Sequence, residues 1–330
     1  MNNIRILYTK GNLKLEKGII NLNSSKVLIK VKSCGICGSD LKIIKYGSPR
    51  VKDNTVLGHE LSGTLLNPIS LKPIHNIILG ADIPNKIDKD LAIGHEINGG
   101  FQKYLILSKK IFAKIPKFIT SKKINFDHAA LCEPIACCLN GFKQMSFKKN
   151  KNVIIFGAGP IGFILAKLAI YFKSKNVFII DTNSSRLKFE INYKNLFKLS
   201  YKGYQKQIFK ILKKKEQIDY GFVACNSSDA QNEILSTVKK GGTINYFAGL
   251  RKEKKKIKVN LDTNLIHYKQ LKVVGSHGST KKNIIDAAKL IVNKKINFSK
   301  IITNKYKIQD FKKAIKKFES GKSLKVIIKP

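Results

Sequence analysis

Cys34, Cys37, His59 and Glu60 carry side chains that bind metal, and they sit close together in the chain. The first two belong to Cys34-Gly35-Ile36-Cys37-Gly38-Ser39-Asp40, the others to Gly58-His59-Glu60. A short chain reversal between the two stretches brings a thiol, an imidazole and a carboxylate to one place. That donor set suits zinc, whose catalytic sites take three protein ligands and keep a fourth position open. A second constellation lies further on. Val153-Ile154-Ile155-Phe156 runs into Gly157-Ala158-Gly159-Pro160-Ile161-Gly162, and Asp181 follows Gly157 by 24 residues. A glycine-rich turn between an apolar strand and a helix, with an acidic residue at that distance, is the pattern that binds a dinucleotide. Metal ligands and a nicotinamide site together imply hydride transfer to or from an alcohol carbon.

These residues need elements to position them. Up to about residue 135 the chain reads as short strands punctuated by Gly and Pro: Val27–Val31, Val56-Leu57, Gly63–Leu66, Ile77–Leu79 and Phe101–Leu107. Such spacing predicts a barrel-like β domain. After Pro134 the pattern changes. Strand candidates Val153–Phe156, Val177–Ile180, Tyr220–Ala224, Thr243–Phe247 and Leu271–Val274 alternate with helical stretches such as Gly162–Phe172 and Ala230–Val238. That alternation predicts a doubly wound parallel sheet. Two amphipathic helices, Asn283–Asn293 and Ile308–Phe318, and a strand, Ser323–Ile328, close the sequence. The expected division is a catalytic domain of 1–135 with 277–330 returning to it, and an inserted nucleotide domain of 136–276.

Within the turn, Gly157 permits the tight bend, Gly159 lets the backbone approach the pyrophosphate, and Gly162 lets helix and strand pack closely. Pro160 and Ile161 open the helix, whose N-terminus offers free N–H groups to phosphate. Asp181, at the end of the next strand, is placed to accept the ribose hydroxyls and to repel a 2′-phosphate, which favours NAD over NADP. Arg186 nearby is a group that serves a 2′-phosphate.

The 330 residues leave room for two cores. A net charge of +42 on its own points to polyanions. Yet 59 of the 63 basic residues are lysine and only four are arginine, spread along the chain without aromatic interleaving. Arginine is the residue that reads nucleic acid through its planar fork. The composition therefore predicts no specific nucleic-acid partner, and Lys213–Lys215 and Lys252–Lys256 read as solvated loop charge. Six cysteines in a chain of this length do not make a disulfide framework. The apolar run Val153–Phe172 is interrupted by Gly-Ala-Gly-Pro and reads as strand, turn and helix rather than a membrane span. With no basic–apolar–small leader pattern at the N-terminus, a reducing cytoplasm is the expected compartment.

Cys34–Asp40, Gly58–Gly63 and Ala130-Leu131-Cys132-Glu133-Pro134-Ile135-Ala136, with the glycine turn and the closing Ser323-Leu324-Lys325-Val326-Ile327-Ile328, resemble the zinc-dependent medium-chain dehydrogenase/reductase family. The likeness is to its polyol (sorbitol-type) and threonine dehydrogenase branch. It implies a GroES-like β domain carrying an inserted Rossmann domain, one catalytic zinc, NAD, and a dimer or tetramer. It implies Cys37 and His59 as ligands, Glu60 and Glu133 as candidates for the remaining carboxylate, and Asp40 as the group that orients His59. Cys34 and Cys132 are then buried bystanders. Ser39 matches the hydroxyl that takes the alcohol's proton. The implied substrate is a small-molecule secondary alcohol of a polyol, cyclitol or sugar. A threonine or small-diol dehydrogenase is the alternative within enzymes, and a nucleotide-binding protein without catalysis is the alternative outside them.

The sequence also departs from the family. Lys42 stands where the proton relay usually ends in histidine, and an amine with a pKa near about 10.4 is a poor proton acceptor at neutral pH. Ile43 replaces an aromatic found beside the substrate in many members. The region from about Ile78 to Asn98 is short and lacks cysteine, so no structural zinc is expected. A second Gly94-His95-Glu96 in this region reads as a loop coincidence, and His277 as a residue near the domain junction.

Overall fold

The computed structural model describes residues 1–83, 91–212, 216–250 and 259–330. Both lysine clusters named above, and part of the short region before Asn98, lie outside the described residues. Two compact units form, one of Met1–Ala136 with Ser279–Pro330 and one of Cys137–Gly278.

The first unit is built on a seven-stranded, mostly antiparallel sheet. Its central strand, Lys26–Gly35, pairs with Glu60–Leu66 on one side and with the closing strand Lys325–Lys329 on the other. Tyr104–Ser108 also pairs with the start of the central strand. The strand expected over Val27–Val31 thus runs on through Cys34 and delivers the chain to the metal-binding stretch. A three-stranded sheet, Asn12–Ile19 against Asn2–Thr9 against Thr55–Val56, completes the barrel-like wall. Its long hairpin has little signature in the sequence: polar residues stand at most of its outward positions, and one side of the hairpin is solvated. Ile6, Ile29, Val31, Leu57, Leu79 and Val326 are among the fully buried residues of this unit's core.

The second unit is an open parallel sheet. Its strands are β1 (Val153–Phe156), β2 (Val177–Asp181), β3 (Leu196–Ser200), β4 (Ile218–Val223), β5 (Val238–Tyr246) and β6 (Lys272–Gly275). The spatial order is 3-2-1-4-5-6, and every neighbouring pair is parallel. This is the Rossmann order. β1 and β2 are buried along their whole length, as continuous Val/Ile/Phe runs must be when helices cover both faces. β3 escaped the sequence reading because Lys198 interrupts its short apolar run and Ser200 ends it at an exposed position.

Candidate functional site

Register brings the metal-binding residues together. Gly35 of the central strand lies directly across from Glu60, and Cys34 from Leu61. A side chain at residue 35 would meet the Glu60 carboxylate, since a Cβ built there comes within 2.2 Å of Oε2. The strand ends at Gly35, and a helix, α1 (Gly38–Tyr46), begins immediately after it. Cys37 is the N-cap, and Asp40 at the third helical position accepts a hydrogen bond from the Cys37 backbone N–H at 2.8 Å. This reciprocal cap satisfies two otherwise unpaired helix-start groups. It also fixes the direction of the Cys37 thiol.

Gly58 turns the chain with a φ of 90°, and its absent side chain leaves room for Phe101 and for the Cys34 sulfur. His59 follows it, buried. Sγ of Cys37, a ring nitrogen of His59 and a carboxylate oxygen of Glu60 lie within 4.8 Å of one another. Among the described residues this is the one such cluster of three. Its donors are one sulfur, one nitrogen and one oxygen, the mixture zinc accepts.

The surroundings of these three groups are polar and deeply buried. His59 Nδ1 is 3.5 Å from Asp40 Oδ1, and neither atom has another hydrogen-bond partner. Nε2 of the same ring is 3.4 Å from Ser39 Oγ. Burial opposes a charged His59, but the Asp40 carboxylate and the Cys37 sulfur outweigh it and hold the imidazole well above its usual range. Burial likewise opposes a charged Asp40, and His59 and the Cys37 N–H bring it below the carboxylate norm. Such a carboxylate–histidine pair turns the opposite nitrogen of the ring toward a metal.

Glu60 has a partner that sequence reasoning did not assign. Lys325 Nζ donates to both Glu60 oxygens, at 2.6 and 2.8 Å, and to the Ile36 carbonyl at 3.1 Å. Both side chains are essentially inaccessible. Desolvation works against the ammonium, but the Glu60 carboxylate keeps Lys325 above the ordinary lysine range. One signal was present: Lys325 is the single charge inside Leu324-Lys325-Val326-Ile327-Ile328, and a charge in a buried apolar strand needs a partner.

Other expected residues fall as follows. Glu133 is buried in the first turn of α2 (Cys132–Gln144) and stands outside the three-residue cluster. Cys34 is fully buried, and its thiol is pushed well up by desolvation. Cys132 is also buried and donates to the Ile284 carbonyl at 3.4 Å. Ile43 packs into the core of the first unit, while Lys42 is exposed. His277 is exposed, and its carbonyl accepts from Asn140. The Gly94-His95-Glu96 repeat stands outside the three-residue cluster, but it is not remote from it. The His95 ring lies 5.5 Å from the His59 ring, centroid to centroid. Distance in sequence hid this, because the segment reaches His59 only through backbone packing against Gly58.

In the second unit the glycine turn is sterically constrained at two of its three glycines. Gly157 has a φ of 109° and packs against the Ala224 backbone. A Cβ on Gly162 would fall 1.8 Å from the Gly157 carbonyl oxygen. A Cβ on Gly159 would meet nothing within 4 Å, so no packing within the protein demands that glycine. α3 (Pro160–Tyr171) starts there, with Gly159 as N-cap and Pro160 and Ile161 in its first turn. Asp181 Oδ2 accepts the Ala158 N–H, and Oδ1 the Asn183 N–H, both at 2.7 Å. The carboxylate ties the turn to β2, and Arg186 lies 3.7 Å from it.

Residues 23–117 match the model of the alcohol dehydrogenase GroES-like domain. The chain is 26% identical to a D-xylulose reductase A of Aspergillus oryzae over 327 residues, covering 92% of this chain and 88% of that one. It is 25% identical to a sorbitol dehydrogenase of Halalkalibacterium halodurans over 331 residues, covering 92% of each. Along nearly its whole length the chain is thus similar to polyol-metabolising dehydrogenases, and its residues 23–117 carry the alcohol dehydrogenase GroES-like domain. An alcohol dehydrogenase structure from Thermotoga maritima superposes on the whole chain with a TM-score of 0.87 at 21% identity. That likeness extends the shared fold over both units, the GroES-like one and the Rossmann one.

Proposed function

We propose that the protein moves a hydride between NAD and a secondary alcohol of a polyol, cyclitol or sugar-like molecule, as a zinc-dependent oxidoreductase. The observation that carries this reading is the Cys37–His59–Glu60 cluster, in a chain whose Gly159 is left open for a ligand. By name one of the two relatives above acts on a polyol, sorbitol, and the other on a ketose, D-xylulose, which favours a polyol or sugar over threonine.

Cys37 and His59 would hold the zinc, with Asp40 orienting His59. Glu60, from within the cluster, and Glu133, from outside it, are both candidates for the third ligand. Glu60 lies in the cluster while bonded to Lys325, and breaking that buried pair would cost about 3–5 kcal/mol. Zinc held there would supply a Lewis acid to the substrate oxygen. Ser39, whose hydroxyl lies 3.4 Å from His59 Nε2, would take the hydroxyl proton of the alcohol and pass it to solvent. The exposed Lys42 lies one helical turn from Ser39.

Gly157, Gly159, Pro160, Ile161 and Gly162 would receive the pyrophosphate, and Asp181 the adenosine ribose. A carboxylate accepts up to about four hydrogen bonds, so its two backbone contacts leave capacity for ribose hydroxyls. Arg186, beside Asp181, is the residue through which NADP would enter. A homo-oligomer in a reducing cytoplasm completes the proposal; the six cysteines are not joined in disulfides. Among the described residues no helix is long and apolar enough to cross a membrane.

The test is zinc content and NAD reduction with sorbitol, xylitol, 2,3-butanediol and threonine, for the natural protein and Cys37→Ala. One zinc per chain, polyol-dependent NADH formation, and loss of both in Cys37→Ala are expected. Zinc-free protein that binds NADH but oxidises none of these would sink the reading.

A further inference from the structure

We infer that His95 is a specificity residue that binds the hydroxyl next to the one oxidised, so that the site selects vicinal diols over simple alcohols. The inference rests on the reaction proposed above, and the geometry behind it is independent of that reaction.

His95 reaches the site because its loop is bolted to the residue before His59. Gly99 N donates to the Val56 carbonyl at 2.6 Å, and Gly100 N to the Gly58 carbonyl at 2.7 Å. Side chains at Gly94 or Gly99 would run into the Gly58 backbone, at 3.0 and 2.1 Å respectively. Gly94 also needs its φ of 76°, which few other residues adopt. On the other flank, Glu96 accepts from Ala92 N at 2.9 Å and holds Arg50 through two contacts of 2.6 and 3.0 Å. The imidazole between these anchors has little freedom to leave.

The ring itself is under-used by the protein. Its single hydrogen-bond contact among the described residues is from Nδ1 to the Ile93 carbonyl, at a long 3.4 Å. With the proton on Nδ1, Nε2 is an acceptor. A half-buried imidazole placed this carefully, with one nitrogen unclaimed beside a metal-binding cluster, is built to meet a donor. The 5.5 Å between the His59 and His95 rings matches a ligand that uses one oxygen at the Cys37–His59 side and the neighbouring oxygen at His95, through contacts of about 3 Å each. Adjacent hydroxyls on one carbon chain fit that description. A mono-alcohol engages the first position only.

The experiment compares 2,3-butanediol, sorbitol and 2-butanol on the zinc-loaded protein and on His95→Ala and His95→Gln. Zinc content is measured for each, and the imidazole resonances of the natural protein are followed by NMR during titration with the same three compounds. His95→Ala is expected to lower kcat/KM for the diol or sorbitol at least tenfold and leave 2-butanol within twofold. His95→Gln, which keeps an acceptor, recovers part of the loss. Zinc stays bound in both variants, and the His95 resonance moves with the diol or sorbitol but not with 2-butanol. Equal losses on all three compounds, or loss of zinc from both variants, would overturn the inference. Should the natural protein oxidise none of them, the resonance decides. A shift with sorbitol or the diol keeps His95 as the hydroxyl contact and removes the hydride reading, whereas no shift removes His95 as well.

Discussion

The glycine turn of the second unit and the metal cluster of the first are built on opposite plans. The turn is local: six consecutive residues and one aspartate a strand away determine its shape, and Gly157 and Gly162 each have their own steric reason. The cluster is assembled from Cys37, His59, Glu60, Lys325 and His95, which span nearly the whole first unit. A local site is protected by backbone sterics, while a dispersed one depends on strand register and buried charge balance. Substitutions should therefore fail differently in the two places.

The largest effect is expected at the buried ion pair. Glu60→Gln leaves the Lys325 ammonium without its carboxylate and should cost about 3–5 kcal/mol of stability. The double variant Glu60→Gln with Lys325→Met should regain most of that loss. Chemical denaturation of the metal-free protein measures both, and a single variant as stable as the natural chain would show the pair to be solvated after all.

Next comes the orientation of His59. Asp40→Asn keeps the shape but removes the charge that faces the ring, and should weaken zinc binding by about 10–100-fold. Competition with a chromophoric chelator reads this directly. Unchanged affinity would mean that the 3.5 Å contact does not direct the ring.

The glycine turn sharpens the contrast. Gly159→Ala places its methyl in open space, so stability should change by less than about 0.5 kcal/mol while NADH binds roughly tenfold more weakly, about 1.4 kcal/mol. Gly162→Ala collides with the Gly157 carbonyl and should unfold the second unit at lower denaturant as well as lose NADH. If the two variants behaved alike, the division of tasks among the glycines would be wrong.

The smallest effect is electrostatic and away from both sites. Asp127 is partly desolvated, yet bonds from Lys305, Lys329 and Ser33 bring its carboxyl down to about 2. A depressed folded-state pKa contributes stability above the unfolded value of 3.8, and that contribution is lost as pH falls from there toward about 2. Because Lys305 and Lys329 are 54% and 39% exposed, screening reduces the effect to about 1 kcal/mol. Asp127→Asn should flatten the stability profile between pH 4 and 2, measured as Tm against pH.

Much of this molecule was legible in its residues. β1 and the helix after the turn follow from an apolar run meeting glycines, because burial on two faces leaves no alternative to continuous Val, Ile and Phe. Cys37, His59 and Glu60 were legible as donor types with a short separation. The hairpin at the N-terminus and β3 were not, since a half-solvated strand carries only half the apolar signal. Two decisions belonged to the tertiary structure alone. Lys325 meets Glu60 only because the closing strand pairs with Lys26–Gly35, and His95 meets His59 only because glycines let two backbones touch at Gly58. Both contacts join residues far apart in the chain, and no local propensity encodes them. Sequence by itself determined which groups were available for chemistry. Strand register and close backbone packing decided which of them stand beside the metal-binding cluster.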